Sequence, residues 1–120
     1  MTRLLLLALL FSGPAIAASV DKETPAGRFA LDTAACKAGD IFATIGAKTL
    51  TLPTFSCEKV GFDQTENKGG RALWSVDAKA CSGEEDSRPK PQTFKIALDD
   101  RGLQIFWKDG TRSAVLVRCK

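Results

Sequence analysis

Hydrophobic and polar residues alternate with a period of two along most of the chain after residue 27. This period is typical of strands that bury one face, whereas a helix repeats near 3.6 residues. Turn-forming residues divide the alternating stretches into about eight predicted strands: 28–32, 41–45, 49–52, 55–64, 71–80, 93–98, 103–108 and 112–119. Residues 33–40 leave room for one helical turn. The pattern predicts an all-β fold of about eight short antiparallel strands in a meander, either a small closed barrel or a flattened sandwich.

The first long hairpin turns at Gly69, and its sequence suggests a register. With the turn centred there, the apolar residues of both strands meet on one face, and Cys57 lies opposite Cys81. The two cysteines then fall on the face opposite the apolar pairs. A bulge near Gly61 would return Cys57 and Phe55 to the inside.

A four-residue turn at 99–102 aligns the next hairpin through three apolar pairs. These pairs are Leu98–Leu103, Ile96–Ile105 and Phe94–Trp107. A slip of one residue would turn all three pairs outward, so they specify the register strongly. Trp74 and Trp107 occupy inward positions, which predicts core residues in preference to a ligand platform. Residues 113–117 are apolar on both faces, which indicates either burial on both faces or a bulge at Asp109-Gly110.

The first 17 residues have the features of a secretory signal peptide. Arg3 precedes an apolar run, and Ala15-Ile16-Ala17 fits a cleavage site. The run is far shorter than the roughly 20 residues that span a bilayer, so no membrane association is expected after signal removal. Residues 18–27 predict a flexible lead-in, and residues 28–120 predict a single β-barrel domain. We expect a monomer in the periplasm or secreted from the cell.

Four cysteines follow the signal, at Cys36, Cys57, Cys81 and Cys119. They are too far apart in sequence for a CxxC redox site or for the close pairs of structural zinc sites. An even number in a small exported chain predicts two disulfides. Three connectivities are possible. The hairpin register favours Cys57–Cys81, which leaves Cys36–Cys119 to join the first and last strands.

Composition narrows the possible chemistry. The chain contains no histidine, which excludes a Ser–His–Asp triad, a Cys–His pair and histidine metal ligands. Without Arg3, 16 basic residues stand against 14 acidic ones, and a formal charge of +2 does not support nucleic-acid binding. Carboxylates at 84–86, or at Asp99 and Asp100, lie in turn-like segments, where acids are usually solvated. We therefore expect no enzymatic activity, no cofactor and no metal.

The segment 82–92 (SGEEDSRPKPQ) is the strongest candidate for a functional site. It is long for a hairpin connection, and Pro89 and Pro91 restrict its backbone. A partly preorganised loop of this kind suits the binding of a protein partner, as in an inhibitor; a solvated connection is the alternative. The candidate partner-binding residues are Glu84, Glu85, Asp86, Arg88 and Lys90. A second hypothesis is that the barrel holds a small hydrophobic ligand in its interior. An interior filled by side chains would exclude this hypothesis.

Several short motifs, taken with their spacing, resemble those of small secreted four-cysteine proteins of Gram-negative bacteria, a group without an established function. The motifs are Cys36, Leu50-Thr51-Leu52, Cys57, Cys81-Ser82-Gly83-Glu84, Gly102-Leu103 and Arg118-Cys119. The chain is more weakly similar to periplasmic inhibitors of animal-type lysozyme, which are exported, disulfide-bearing, eight-stranded barrels. In that family a Ser-Gly loop with a tyrosine contributes to inhibition. Ser82-Gly83 is the only Ser-Gly after the signal and the chain has no tyrosine, so the inhibitory residues do not carry over.

Overall fold

The computed structural model describes residues 24–83 and 88–120. Within these residues the elements are β1 (Gly27–Ala30), α1 (Thr33–Ala38), β2 (Ala43–Ile45), β3 (Leu50–Leu52), β4 (Phe55–Lys68), β5 (Arg71–Gly83), β6 (Lys90–Asp99), β7 (Gly102–Phe106) and β8 (Val117–Cys119). The strands form one sheet in the order β7-β6-β5-β4-β3-β2-β1-β8, and every paired neighbour is antiparallel. The prediction of an eight-stranded antiparallel meander is confirmed.

The sheet nearly closes into a barrel where β7 approaches the segment that leads into β8. Leu103 and Leu116 exchange two backbone hydrogen bonds there, with N to O distances of 2.8 and 2.7 Å. Farther along, the Ser113 hydroxyl accepts a hydrogen bond from the Ile105 N–H at 2.9 Å. Isolated bridges therefore replace a continuous ladder at this seam. Because closure removes exposed strand edges, these few bonds protect the first and last strands of the sheet.

The interior of the barrel is filled by apolar side chains. The largest of them include Phe29, Leu50, Trp74, Ile96, Leu103, Ile105 and Leu116, each no more than 2% exposed. No polar or charged residue is buried in the part of the chain that the structure describes. Burial of one such side chain contributes about 1.5–3 kcal/mol, so this core is a main source of stability.

The first long hairpin has the predicted register over most of its length, with Cys57 opposite Cys81. Both cysteines are buried on the same side as Val60, although the simple alternation placed them outside. The bulge that was expected near Gly61 is not found in the pairing of β4 with β5, because Glu58 pairs with Ala80 and Val60 with Ala78 in one unbroken register. Instead, Lys59 has a φ of 55°, in the left-handed region. This conformation interrupts the alternation of β4, so Cys57 and Val60 are both buried although they are three positions apart.

Near its turn, the same hairpin departs from the predicted register by one residue. The pairing shifts between Gln64 and Glu66, which marks a bulge. Lys68 then pairs with Arg71 across the two-residue turn Gly69-Gly70, whose φ values are 64° and 76°. Positive φ at both central residues matches the twist of the flanking strands, and glycine adopts it without strain.

The second hairpin confirms two of the three predicted apolar strand pairs. The strand pairs are Leu98–Leu103 and Ile96–Ile105. Trp107 lies just beyond β7, and its ring centroid is 4.9 Å from that of Phe94. Trp74 is a core residue as expected, with 2% of its surface exposed.

The final segment is not buried on both of its faces. Leu116 is fully buried, whereas Val115 is 37% exposed. The regular strand β8 is limited to its last three residues, and 112–116 reach β7 through isolated bridges. An irregular path after Asp109-Gly110, and not two-sided burial, accounts for the continuous apolar run in the sequence.

Both disulfides form in the favoured connectivity. Cys36 on α1 bonds to Cys119 on β8, with 5.4 Å between their Cα atoms. Cys57 on β4 bonds to Cys81 on β5, with 4.0 Å between their Cα atoms. All four cysteines are thus paired. Two structural disulfides indicate an oxidising, extracytoplasmic compartment.

The predicted signal peptide, 1–17, and the first part of the predicted lead-in lie outside the described residues. The end of that lead-in is described, and it contacts the barrel. Pro25 is buried, the Ala26 carbonyl accepts a hydrogen bond from the Arg118 guanidinium at 2.9 Å, and Gly27 begins β1. In the described part of the chain, no helix is long and apolar enough to cross a membrane.

Candidate functional site

Alternate connections of an antiparallel meander meet at the same end of a barrel, because consecutive strands run in opposite directions. The β1–β2, β3–β4, β5–β6 and β7–β8 connections therefore share one end, which we call the aromatic end. An open cavity of about 470 Å³ lies there. It is lined by Phe42, Leu52, Pro53, Thr54, Phe55, Gln92 and Trp107, and we call it the aromatic cavity.

The lining of the aromatic cavity is continuous with the barrel core. Phe42, Leu52, Phe55 and Trp107 are half-buried and pack against the buried core residues. Each of these side chains therefore has one side held by the core and another that borders the cavity. A volume of a few hundred cubic ångströms with mainly apolar walls is typical of sites that accept a small apolar group.

Two aromatic neighbours set the orientation of the Trp107 ring. Phe55 meets it edge to face, with centroids 5.7 Å apart and planes at 86°. Phe94 packs on it at 4.9 Å with its plane tilted by 49°. Edge-to-face and offset pairs are the favoured arrangements of aromatic rings, so the indole is held before any partner arrives.

The turn that follows Trp107 fixes its backbone as well. The Trp107 N–H donates to the Thr111 carbonyl at 2.8 Å, and the Gly110 N–H donates to the Trp107 carbonyl at 3.1 Å. Inside this turn, Asp109 Oδ1 accepts hydrogen bonds from the Thr111 hydroxyl at 2.7 Å and the Thr111 N–H at 2.9 Å. These two hydrogen bonds, the hydroxyl first, lower the pKa of the Asp109 carboxyl below its ordinary value of 3.8.

The described part of the predicted partner-binding segment lies at this same end of the barrel. Glu84, Glu85 and Asp86 belong to the β5–β6 connection but lie outside the described residues. Arg88 and Lys90 are described and exposed. Lys90 begins β6, and Gln92, two residues later on the strand, lines the aromatic cavity. The structure therefore brings the described part of the predicted loop close to the cavity.

The other carboxylates considered in the sequence, Asp99 and Asp100, lie in the β6–β7 turn at the opposite end of the barrel. Asp99 accepts hydrogen bonds from the Arg101 N–H at 2.9 Å and from its guanidinium at 3.2 Å. These bonds lower the pKa of the Asp99 carboxyl, the backbone bond most strongly. Asp99 therefore stabilises a turn. Among the described residues, no group of three or more His, Cys, Asp or Glu could hold a metal ion.

Sequence reasoning did not identify most of the cavity lining. Phe42, Leu52 and Phe55 were assigned to strands or their ends, and Trp107 only to the core. Trp107 does contact the core, but it also borders the cavity. The sequence did contain one indication of this cavity. Each of these apolar residues lies where a strand begins or ends, and in a meander these positions all fall at the same end of the barrel.

Comparison with known proteins finds no relative: no protein-family model matches the chain, and no curated protein or solved structure matches it significantly.

Proposed function

We propose that this protein is a binding module of the periplasm or the extracellular space, and that it seats an apolar side chain of a protein partner in the aromatic cavity. The observation that carries the proposal is the cavity at the aromatic end, with a preoriented Trp107 in its wall. The predicted partner-binding loop approaches the same end through Arg88 and Lys90. The site contributes shape and apolar surface and does not depend on catalysis.

The packing of the barrel favours a partner at the surface over a ligand inside. Trp74, Ile96 and Ile105 fill the interior, and each is at most 2% exposed. Phe94 is also buried, at 4% exposed, whereas Phe62 and Trp107 are half-buried. A small hydrophobic ligand remains the second candidate, and it would have to use the open cavity at the end of the barrel.

The energetics are consistent with an anchor and a surrounding rim. Full burial of a Leu or Phe side chain of a partner would contribute about 1.5–3 kcal/mol. A micromolar complex needs about 8 kcal/mol, so the anchor alone is insufficient. Polar contacts from the β5–β6 connection would surround the anchor, exclude water and contribute specificity. Arg88 and Lys90 are the described residues positioned for this.

Affinity capture with the mature protein tests the proposal, with extracellular or periplasmic extracts as the source of partners. Leu52→Ala enlarges the cavity and removes part of its wall. We expect it to weaken the Kd of the captured partner by about tenfold, since loss of about 1.4 kcal/mol corresponds to that factor. Leu31→Ala is the matched control, because Leu31 is 55% exposed and does not line the cavity.

A second pair of variants examines the rim. Arg88→Glu and Lys90→Glu are expected to reduce the association rate of a partner that contacts the β5–β6 connection, because rim charges act mainly on encounter. Circular dichroism and thermal unfolding verify that each variant is folded. Equal capture by wild type, Leu52→Ala and both charge variants would refute this assignment of the site. Equal loss with Leu31→Ala would show a general surface effect instead.

A further inference from the structure

One strand of the barrel is much longer than the strand beside it. β4 runs from Phe55 to Lys68, but β3 pairs only with its first three residues, 55–57. One more hydrogen bond, from the Val60 N–H to the Lys48 carbonyl at 3.0 Å, extends this contact. From residue 61 to residue 68, no described strand lies beside β4 on the side away from β5. We call this stretch the β4 edge.

The Val60 hydrogen bond shows the direction of the backbone groups along this edge. Residues two apart in a strand direct their N–H and C=O groups to the same side. Phe62 therefore directs its N–H and C=O away from β5, toward the β4 edge. Backbone groups arranged in this way are a template for an additional strand, and β-strand addition is a common mode of peptide recognition.

The charge of Asp63 limits which strand this template can accept. The bulge between Gln64 and Glu66 ends the regular part of the edge, so a partner strand has about five residues, 61–65, to pair with. A second copy would pair around a twofold axis, which places the central residue opposite itself. That residue is Asp63, and its side chain is exposed. Directly opposed like charges destabilise a pair of strands, whereas opposite charges stabilise it.

We propose that the β4 edge binds an extended segment of a protein partner by antiparallel strand addition, with a basic residue of that segment opposite Asp63. The same carboxylate prevents the edge from pairing with a second copy of this chain. This surface lies on the side of the barrel, on the part of β4 that runs away from the aromatic cavity. It therefore constitutes a second interaction site, independent of the proposed function.

An Asp63→Lys variant of this protein serves as the probe, because it presents a strand of identical shape with a lysine at the central position. Sedimentation velocity is measured for the wild type, for the variant and for an equal mixture, at hundreds of micromolar protein. We expect wild type and variant to be monomers when alone, because like charges face each other. The mixture should shift to a dimer, with slower hydrogen exchange at the Phe62 amide.

Asp77→Lys is the matched control. Asp77 is exposed and is paired with Gly61, so it lies on the same face one strand away, but β5 has strands on both sides. A mixture of wild type and Asp77→Lys should stay monomeric. If this control mixture formed a dimer, attraction between surface charges would be sufficient for association without strand pairing, and the proposal would fail. A monomeric Asp63→Lys mixture would also overturn it, as would a wild-type dimer with protection at the β4 edge.

Discussion

Closure of the barrel depends on the absence of a side chain at one position, which makes Gly102→Ala a sharp test. Gly102 begins β7 at a φ of +143°. A Cβ at this position would collide with the backbone carbonyl of Leu116, a rigid neighbour. That same carbonyl accepts the Leu103 N–H, one of the two hydrogen bonds that join the seam. Alanine should therefore separate the chain at the seam.

The expected magnitude has two parts. Loss of the two Leu103–Leu116 hydrogen bonds costs about 2 kcal/mol, at roughly 1 kcal/mol each. An alanine held at a φ that L-residues rarely adopt costs about 1–3 kcal/mol more. The sum of about 3–5 kcal/mol is a large part of the roughly 5–15 kcal/mol by which small domains are stable. Urea unfolding followed by tryptophan fluorescence measures the change.

Gly27→Ala separates the cost of backbone strain from the cost of the lost hydrogen bonds. Gly27 has a similar φ of +152°, but its added Cβ would meet the flexible Arg118 side chain at 3.2 Å. We expect Gly27→Ala to lose stability through backbone strain alone. Gly102→Ala should therefore be less stable than Gly27→Ala by about 2 kcal/mol, the contribution of the two lost hydrogen bonds. Hydrogen exchange at Leu103 and Leu116 should accelerate only in the Gly102 variant. If both variants were destabilised equally and hydrogen exchange at Leu103 and Leu116 were unchanged in Gly102→Ala, Gly102 would not be what permits closure of the barrel.

Three further predictions concern one disulfide, a turn and the left-handed backbone at Lys59. Replacement of Cys36 and Cys119 by alanine should lower stability by up to about 4.5 kcal/mol from loop entropy over 83 residues, measurable by urea unfolding of the oxidised protein. Asp109→Asn should destabilise the protein at neutral pH. The pKa of the Asp109 carboxyl is lower in the folded protein than its ordinary value of 3.8. The difference in unfolding free energy between wild type and variant should therefore have its full size at pH values above 3.8, and it should diminish as the pH falls through the lower pKa of the folded state. A difference between wild type and Asp109→Asn that persists in strong acid would contradict this role. Lys59→Gly should stabilise by up to about 1 kcal/mol, since φ at Lys59 is positive, and thermal unfolding would show it.

The local pattern of the sequence was sufficient to predict where the strands lie and most of the register in which they pair. Turn residues and alternation act over a few positions, and a wrong register would expose a whole apolar face. For this reason the alignment of Cys57 with Cys81 could be predicted, and with it both disulfides. The face on which these cysteines lie did not follow from the alternation. It depends on the left-handed backbone at Lys59, a residue whose type does not indicate such a conformation.

The candidate site and the β4 edge depend on contacts between distant parts of the chain. Phe42, Leu52 and Trp107 form one cavity wall only because the meander brings three separate connections to the same end of the barrel. The length of β4 relative to β3 likewise becomes apparent only when the strands are paired. The sequence by itself determined which residues alternate, where the chain turns and which cysteines face each other, because these follow from short-range geometry. Tertiary structure alone decided the seam, the cavity and the open edge, because each requires residues that are far apart in sequence to meet.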